Sequence, residues 1–466
     1  MHIFIIQINE VCTLTYIIWN MKQSDYNIFI EENTKVLCFN SFSNSFILIS
    51  KDAYSDLQNN DLDLFAQKRP NTFQALCKSG FIIDDSIDQL AILRAENKRE
   101  AFSPSIDYLM IYPTQDCNLK CWYCYETHVA QSKMSRQVVE ATLSYISNLC
   151  KESRNKVLRL TFFGGEPFLY YKDVVYPILA HTQATCQKYG KSFVPFFVTN
   201  ASLINEKIID ELVPFNPVFQ ITIDGGEYRH NKVRVWKTTN KGTYGHIIKT
   251  INSICKKISI GDGNKSNIIT VRINYDDETL DDIYNIAQAL KDVDRCKVFI
   301  QLERVWQTMG RINEEQQNKL KQTLLYLTSE GFNVGHGLFG HKRIACPAEI
   351  DHYAIINWDG NVYKCNGRTL SVTNREGVLL QDGTIKWNEK QQVKRVAVAT
   401  FENEMCLKCK MLPQCIGPCS QKIIENKNKD MGNICSMKFA DMNLEEYIRT
   451  NFEIELLKKQ LLSNKW

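Results

Sequence analysis

The 466-residue sequence has no long uninterrupted apolar run. Residues 2 to 20 come nearest, but Gln7, Asn9, Glu10 and Asn20 break them. A membrane-spanning helix needs about 20 nearly continuous apolar residues, so no membrane partner is expected. The same stretch has no basic segment ahead of it and no small-residue cleavage site behind it, which argues against a secretory signal. It reads as a peripheral extension over 1–22, with Met21 as an alternative start, and the location expected is cytoplasmic. Runs of basic residues are also missing, and a net charge of +4 is too small to imply a nucleic-acid partner. No internal repeat of fixed period is visible.

What the sequence has in quantity is cysteine, 17 residues in all. In a cytoplasmic protein disulfides are rare, and clustered cysteines usually bind metal. Two groups stand out. The first is Cys117, Cys121 and Cys124, within Pro113-Thr114-Gln115-Asp116-Cys117-Asn118-Leu119-Lys120-Cys121-Trp122-Tyr123-Cys124. It follows an apolar run, Tyr108 to Tyr112, that reads as a strand, so the thiols leave its C-terminal end, where α/β folds place their chemistry. A cubane iron–sulfur cluster takes four thiolates, and three on one loop leave one iron open. A zinc knuckle is the competing reading, but three ligands with no near fourth do not close a tetrahedral site.

The second group spans 346 to 435. Cys346 precedes a hairpin turn at Asp359-Gly360 that leads to Cys365, and Cys406, Cys409, Cys415 and Cys419 follow before Cys435. A zinc ribbon is the competing reading here. The remaining cysteines, Cys12, Cys38, Cys77, Cys150, Cys186, Cys255 and Cys296, mostly fall in apolar patterns and are expected to be small buried hydrophobes.

Between 105 and about 335, strand-like and helix-like segments alternate, which predicts parallel βα units. Strands are expected at 157–163, 193–199, 218–223, 268–274 and 297–301 after the first, giving a partial barrel of six repeats. Helices are expected near 135–149, 174–188, 206–212, 244–254, 280–290 and 313–327. Gly261 to Asn267 reads as a surface loop. Ahead of this array, residues 26–50 carry two or three short strands, helices are expected near 53–65 and 72–78, and Phe81-Ile82-Ile83 is a further short apolar run. The layout is winged-helix-like. Eight Lys and Arg stand against eleven Asp and Glu from 26 to 100, a balance of −3 and the wrong sign for a phosphate backbone. Beyond Cys435, Asn443 and Glu446 form a capping box ahead of an amphipathic helix.

The spacing of Cys117, Cys121 and Cys124, with Tyr123 before the last, resembles the motif of the radical S-adenosylmethionine (SAM) enzymes. That resemblance implies a [4Fe-4S] cluster whose open iron chelates SAM, and a 5′-deoxyadenosyl radical that removes hydrogen from an unactivated carbon. Behind successive predicted strands, Gly164-Gly165-Glu166-Pro167 is similar to the family's glycine-rich segment at the methionine ammonium. Asn200 and Asp224 match positions near the ribose, and Arg272 offers a fork for the methionine carboxylate. Ala201 departs from the family, which usually has glycine there.

The second cysteine set resembles the SPASM domain of peptide-modifying radical SAM enzymes. By that resemblance Cys406, Cys409, Cys415 and Cys435 hold one auxiliary iron–sulfur cluster, and Cys346, Cys365 and Cys419 a second that is one ligand short. The missing place could be filled by His341, left open to substrate, or reflect altered nuclearity. The layout before the core resembles the leader-recognition domain of ribosomal-peptide maturases, in which a precursor peptide adds as a strand; a structural cap is the alternative. The implied fold is α/β: a partial (β/α)6 TIM-type barrel over 101–335, a winged-helix-like domain over 23–100, a cysteine-rich SPASM domain over 336–440 and a C-terminal helix over 441–466. The implied function is a peptide maturase that installs a thioether, carbon–carbon or carbon–oxygen crosslink, with a flavodoxin or ferredoxin as electron donor. Two alternatives remain: an anaerobic sulfatase maturase, which places Asp where this chain has Asn366, and a metal-stabilised binding or regulatory protein.

Overall fold

The computed structural model describes residues 20–260, 267–308, 313–336, 340, 342–396, 398, 400–426 and 430–463. The expectations for residues 1–19, which include Cys12, for the loop at 261–266 and for His341 lie outside the described residues. The chain divides into two compact units: the described parts of Met1–Ala101, Leu338–Cys346 and Val398–Glu455, and those of Phe102–Gly337, Pro347–Ala397 and Leu456–Trp466.

In the first unit, strand β1 (Met21–Gln23) begins inside the stretch read as an extension. It pairs with β5 (Ile82–Asp84). Between them β2 (Asn27–Glu31), β3 (Lys35–Asn40) and β4 (Ser45–Ser50) form an antiparallel meander. The single helix expected near 53–65 is two, Lys51–Gln58 and Leu62–Lys68. Asn60 at φ 56 and the Asp61 side chain, which caps Leu64 N, restart the chain between them. Helix Pro70–Lys78 follows, and Gly80 turns the chain at φ 78. Phe65, Phe73, Leu76 and Phe81 pack with Val36 and Ile47 as the core. A second apolar cluster joins Tyr26 and Leu93 to Phe401, Cys406, Leu412 and Ile416, so the later cysteine segment shares a core with N-terminal turns and the Gln89–Phe102 helix. Gln414 Nε2 donates to Ser41 O at 2.7 Å in the same seam. Leu93 comes from a helix, Gln89–Phe102, that the sequence reading did not foresee. Its apolar residues Leu90, Ala91 and Ile92 are consecutive and give no helical stripe.

The second unit is built on one sheet of eleven strands. Seven parallel strands stand in sequence order: β6 (Ile106–Ile111), β7 (Val157–Phe162), β8 (Ser192–Thr199), β9 (Val218–Thr222), β10 (Ile269–Tyr275), β11 (Val298–Arg304) and β12 (Asn333–His336). Right-handed crossovers between sequential parallel neighbours keep the helices on one face, so the other face turns inward. The six expected strands are present with shifts of a few residues at their ends. The seventh, Asn-Val-Gly-His, carries a single β-branched residue and gave no strand signal. The helix expected over 280–290 is two short ones, Asp277–Asp282 and Tyr284–Ala289. On the far side of β6 the sheet continues into β13 (Ala354–Ile356), β14 (Asn361–Tyr363), β15 (Gly377–Leu379) and β16 (Ile385–Trp387). Residues 336–440 are therefore divided: 347–397 belong to this sheet unit, while the cysteines from 406 onward belong to the first unit.

Four of the seven isolated cysteines, Cys38, Cys150, Cys186 and Cys255, are buried, and Cys77 is half-buried. Cys296 is exposed, contrary to expectation, because it sits in a 3-10 turn, Arg295–Lys297, ahead of β11.

Candidate active site

The loop from β6 carries Cys117, Cys121 and Cys124 around a cavity of about 310 Å3 at the C-terminal ends of the parallel strands. The loop is held from below. Thr114 Oγ1 donates to Ser132 O and accepts from Asp116 N at 2.8 Å. Asp116 in turn accepts from Cys117 N and Gln131 N, each at 2.8 Å. From the side, Gly165 N donates to Thr114 O and Glu166 N to Asp116 O. This approach explains the glycines: a Cβ on Gly164 would lie 2.3 Å from Thr114 O, and one on Gly165 2.0 Å from Asp116 O. From above, segment 235–237 runs antiparallel to the loop. Leu119 faces Trp236, Lys120 N donates to Val235 O at 3.2 Å and Lys237 N to Asn118 O at 2.9 Å.

Of the residues singled out in the sequence, the three cysteines, Tyr123, Gly164, Gly165, Asn200 and Arg272 line the cavity together. Glu166, Pro167 and Asp224 are buried beneath that wall rather than on it. Glu166, fully buried, accepts from Thr199 Oγ1 at 2.7 Å, Asn200 N at 2.8 Å and Phe168 N at 3.1 Å, so it shapes the Thr199–Asn200 turn. Its burial pushes its carboxyl up to about 7. Asn200 Nδ2 then reaches Asn118 Oδ1 at 2.9 Å and Cys117 Sγ at 3.7 Å. Ala201 takes φ 59, the left-handed conformation a glycine would favour, so the turn keeps its form despite the substitution. Asp224 accepts from Tyr123 Oη and from Asn274 N, the latter at 3.0 Å.

Several cavity residues were not foreseen. Arg234, 6% exposed, donates to Tyr123 Oη at 2.6 Å. Glu126 accepts from Tyr112 Oη at 3.0 Å, and burial pushes its carboxyl up to about 7. His128 Nε2 lies 3.6 Å from Cys124 Sγ. Tyr125 and Trp306 stack at 5.2 Å between centroids, and Gln307 Nε2 ties that segment to Tyr123 O at 2.7 Å. Asn366, which the sequence had singled out, also lines the cavity. The one advance signal for Arg234 was its place twelve residues beyond the end of the fourth parallel strand, on a segment with no motif of its own.

Burial pushes the Cys117 thiol up to about 12 and raises Cys121 and Cys124. Thiols so placed stay protonated at neutral pH until a metal displaces the proton. Among the described residues no three His, Cys, Asp or Glu side chains converge closely enough to hold a single metal ion. A donor set of soft thiols on one loop, beside a cavity of cofactor size, fits an iron–sulfur cluster better than zinc.

A smaller cavity, about 60 Å3, lies in the first unit and is lined by Cys406, Cys409, Cys415 and Cys435 with Met405, Met411, Leu412 and Met437. Asn403 caps its first turn, accepting from Cys406 N at 3.0 Å and donating to Cys406 Sγ at 3.1 Å. Gly417, at φ 95, passes so close to Thr400 O that a Cβ would stand 1.8 Å away. Cys346 and Cys419 belong to this unit and Cys365 to the sheet unit, all half-buried.

An open, sequence-ordered parallel sheet with a three-thiol loop at its C-terminal edge defines a cofactor-binding α/β domain. Residues 111–300 match the model of the Radical SAM superfamily, and this part of the chain is a radical SAM domain. An uncharacterised protein of Methanocaldococcus jannaschii is 29% identical over 153 residues, 31% of this chain and 49% of that protein. The chain thus spans about half the length of that relative. The radical SAM cyclopropyl synthase TigE of Paramaledivibacter caminithermalis is 22% identical over 395 residues, 77% of each chain. Among solved structures, native anSMEcpe with bound AdoMet and Cp18Cys peptide has the same fold at a TM-score of 0.52 and 19% identity, covering 77% of this chain and 98% of that one. No helix among the described residues is long and apolar enough to cross a membrane.

Proposed function

We propose that the chain is a radical SAM enzyme that modifies a ribosomally made peptide. The observation that carries this reading is the convergence of Cys117, Cys121, Cys124, Tyr123, Gly164, Gly165, Asn200 and Arg272 on one cavity, in a domain of that superfamily. The three cysteines hold the [4Fe-4S] cluster, and Arg272, with Asn200 and the Gly164–Gly165 backbone, holds SAM. When bound, this pair supplies a carbon-centred oxidant that takes one hydrogen atom from the substrate. Tyr125 and Trp306 flank the cavity, where they exclude water and seat the residue to be attacked. The strands and helices of 23–100 act as a winged-helix-like leader-binding domain, a peptide adding as a strand to a sheet edge. Cys406, Cys409, Cys415 and Cys435 hold an auxiliary cluster, as in the C-terminal SPASM arrangement. A crosslink would then close as the substrate gives a second electron to an auxiliary cluster and a proton to solvent, while a flavodoxin or ferredoxin would supply the electron that starts SAM cleavage.

The sulfatase-type reading needs a carboxylate at position 366 to take the substrate proton. Asn366 lines the cavity but its amide cannot serve as that base. The test is anaerobic co-expression with a candidate small peptide from a reading frame neighbouring the gene, with Cys117→Ala as control. A loss of two hydrogens per modified site, absent in the control, is the expected result. An unchanged peptide mass with iron loaded and SAM cleaved rejects that peptide as substrate and moves the test to a sulfatase-type Cys or Ser.

A further inference from the structure

We propose that Arg234 sets the electron affinity of the iron–sulfur cluster held by Cys117, Cys121 and Cys124, a proposal that rests on the cluster reading above. Arg234 is 6% exposed and shares the cavity wall with all three cysteines. Its guanidinium donates to Tyr123 Oη, and Asp224 Oδ2 lies 3.6 Å away. Asp224 is 1% exposed and absent from the wall, whereas Arg234 stands on it with the thiols. Arg234 Nε is buried without a hydrogen-bond partner. An orphaned guanidinium donor is costly to bury unless an electron-rich group faces it.

The charge is also held in register with the cysteine loop. The residues directly after Arg234 form the segment paired with it, Val235 O accepting from Lys120 N and Lys237 N donating to Asn118 O. Leu119 and Trp236 stand opposite each other in the same pairing. The other two arginines on the wall are half-buried and turned to other partners, Arg272 to Asn274 Oδ1 at 3.1 Å and Arg304 to Thr308 O at 2.9 Å. A cluster gains one negative charge on reduction. A fixed cation in a medium of low dielectric stabilises the reduced form more than the oxidised one and raises the potential.

The experiment is a redox titration followed by electron paramagnetic resonance on the anaerobically reconstituted full chain, using the signal that changes when SAM is added. Arg234→Gln is expected to lower the midpoint by about a tenfold change in the reduction equilibrium, about 59 mV for one electron. Arg234→Lys, which keeps the charge and loses the fork, is expected to stay near the parent. An unmoved midpoint in Arg234→Gln at full iron content overturns the proposal. So does an equal shift in both variants, which would mark a purely structural role. If Arg234→Gln fails to fold or load iron, Asp224→Asn decides: losing the counter-charge should raise the midpoint, and a midpoint that stays or falls overturns the proposal. A parent protein with no SAM-sensitive signal would sink the cluster reading itself, and the Arg234 proposal with it.

Discussion

The two cysteine sites differ in the space and charge around them. Cys117, Cys121 and Cys124 face a cavity of about 310 Å3 whose wall carries Arg234, Arg272 and Arg304 with several amides. Cys406, Cys409, Cys415 and Cys435 surround about 60 Å3 lined by methionine, leucine and proline, with no charged side chain in that lining among the described residues. The first site has room for an organic cofactor beside its metal; the second has room for an inorganic core and little else. One feature is common to both. Each sits on backbone that ordinary residues avoid, Ala201 at φ 59 beside the first and Ile416 at φ 58 beside the second. A β-branched residue in that region is strained, and such strain persists where the surrounding packing fixes it.

The largest expected effects separate the sites. Cys121→Ala should reduce 5′-deoxyadenosine formation to background while iron at the second site remains. Cys409→Ala should spare SAM cleavage to within about tenfold and abolish the peptide product, with one cluster's iron lost. If Cys409→Ala also stops SAM cleavage with the first cluster loaded, the division of labour is wrong. Next come the glycines. Gly417→Ala combines a positive φ with a Cβ 1.8 Å from Thr400 O and should cost about 3 kcal/mol. Limited proteolysis between 398 and 455 would register it. Gly165→Ala meets Asp116 O at 2.0 Å without a positive φ, and should mainly displace the first cysteine loop, seen as lost SAM-dependent spectral change.

How much of this was legible in the sequence follows from range. Strands β6 to β11 could be read because each is a run of alternating burial, as in Ile106–Ile111. β12 could not, since Asn333-Val334-Gly335-His336 becomes a strand only through its neighbour β11. The cysteine loop and Gly164-Gly165 were readable as local motifs. Their connection was not: the glycines matter for an approach to Asp116, some 50 residues away in the chain. Glu166 was read within the segment at the methionine ammonium; its bonds to Thr199 Oγ1 and Asn200 N are a long-range pairing that no spacing announces. Arg234 went unread for the same reason, as its meaning depends on Tyr123 and Asp224 folding around it.

Glu166 provides a pH test of that buried support. Its carboxyl moves from 4.5 to about 7 through burial. Below about pH 4.5 both folded and unfolded chains are protonated there. Between 4.5 and 7 the unfolded chain ionises while the folded one keeps its proton, so stability falls as pH rises; above 7 the loss levels off. The full span is at most about 3 kcal/mol. Chemical unfolding of the sheet unit from pH 4 to 8 should show a steeper decline in the parent than in Glu166→Gln, where Glu126, raised to about 7 in the same way, still contributes. Equal slopes in both would mean that Glu166 is already ionised in the fold.

The smallest effect is expected at Lys237, and its smallness is informative. Lys237 Nζ lies 3.4 Å from Asp116 Oδ1, with the two side chains 35% and 24% exposed. A pair that open is worth less than about 1 kcal/mol. The loop's attachment to this segment runs instead through Lys237 N, which alanine keeps. Lys237→Ala should therefore leave iron content and SAM cleavage near the parent level, whereas Asp116→Ala strips the acceptor from both Cys117 N and Gln131 N and should lower cluster retention sharply. Similar losses in the two variants would show that the side-chain ion pair, rather than the backbone pairing, holds the thiol loop in place.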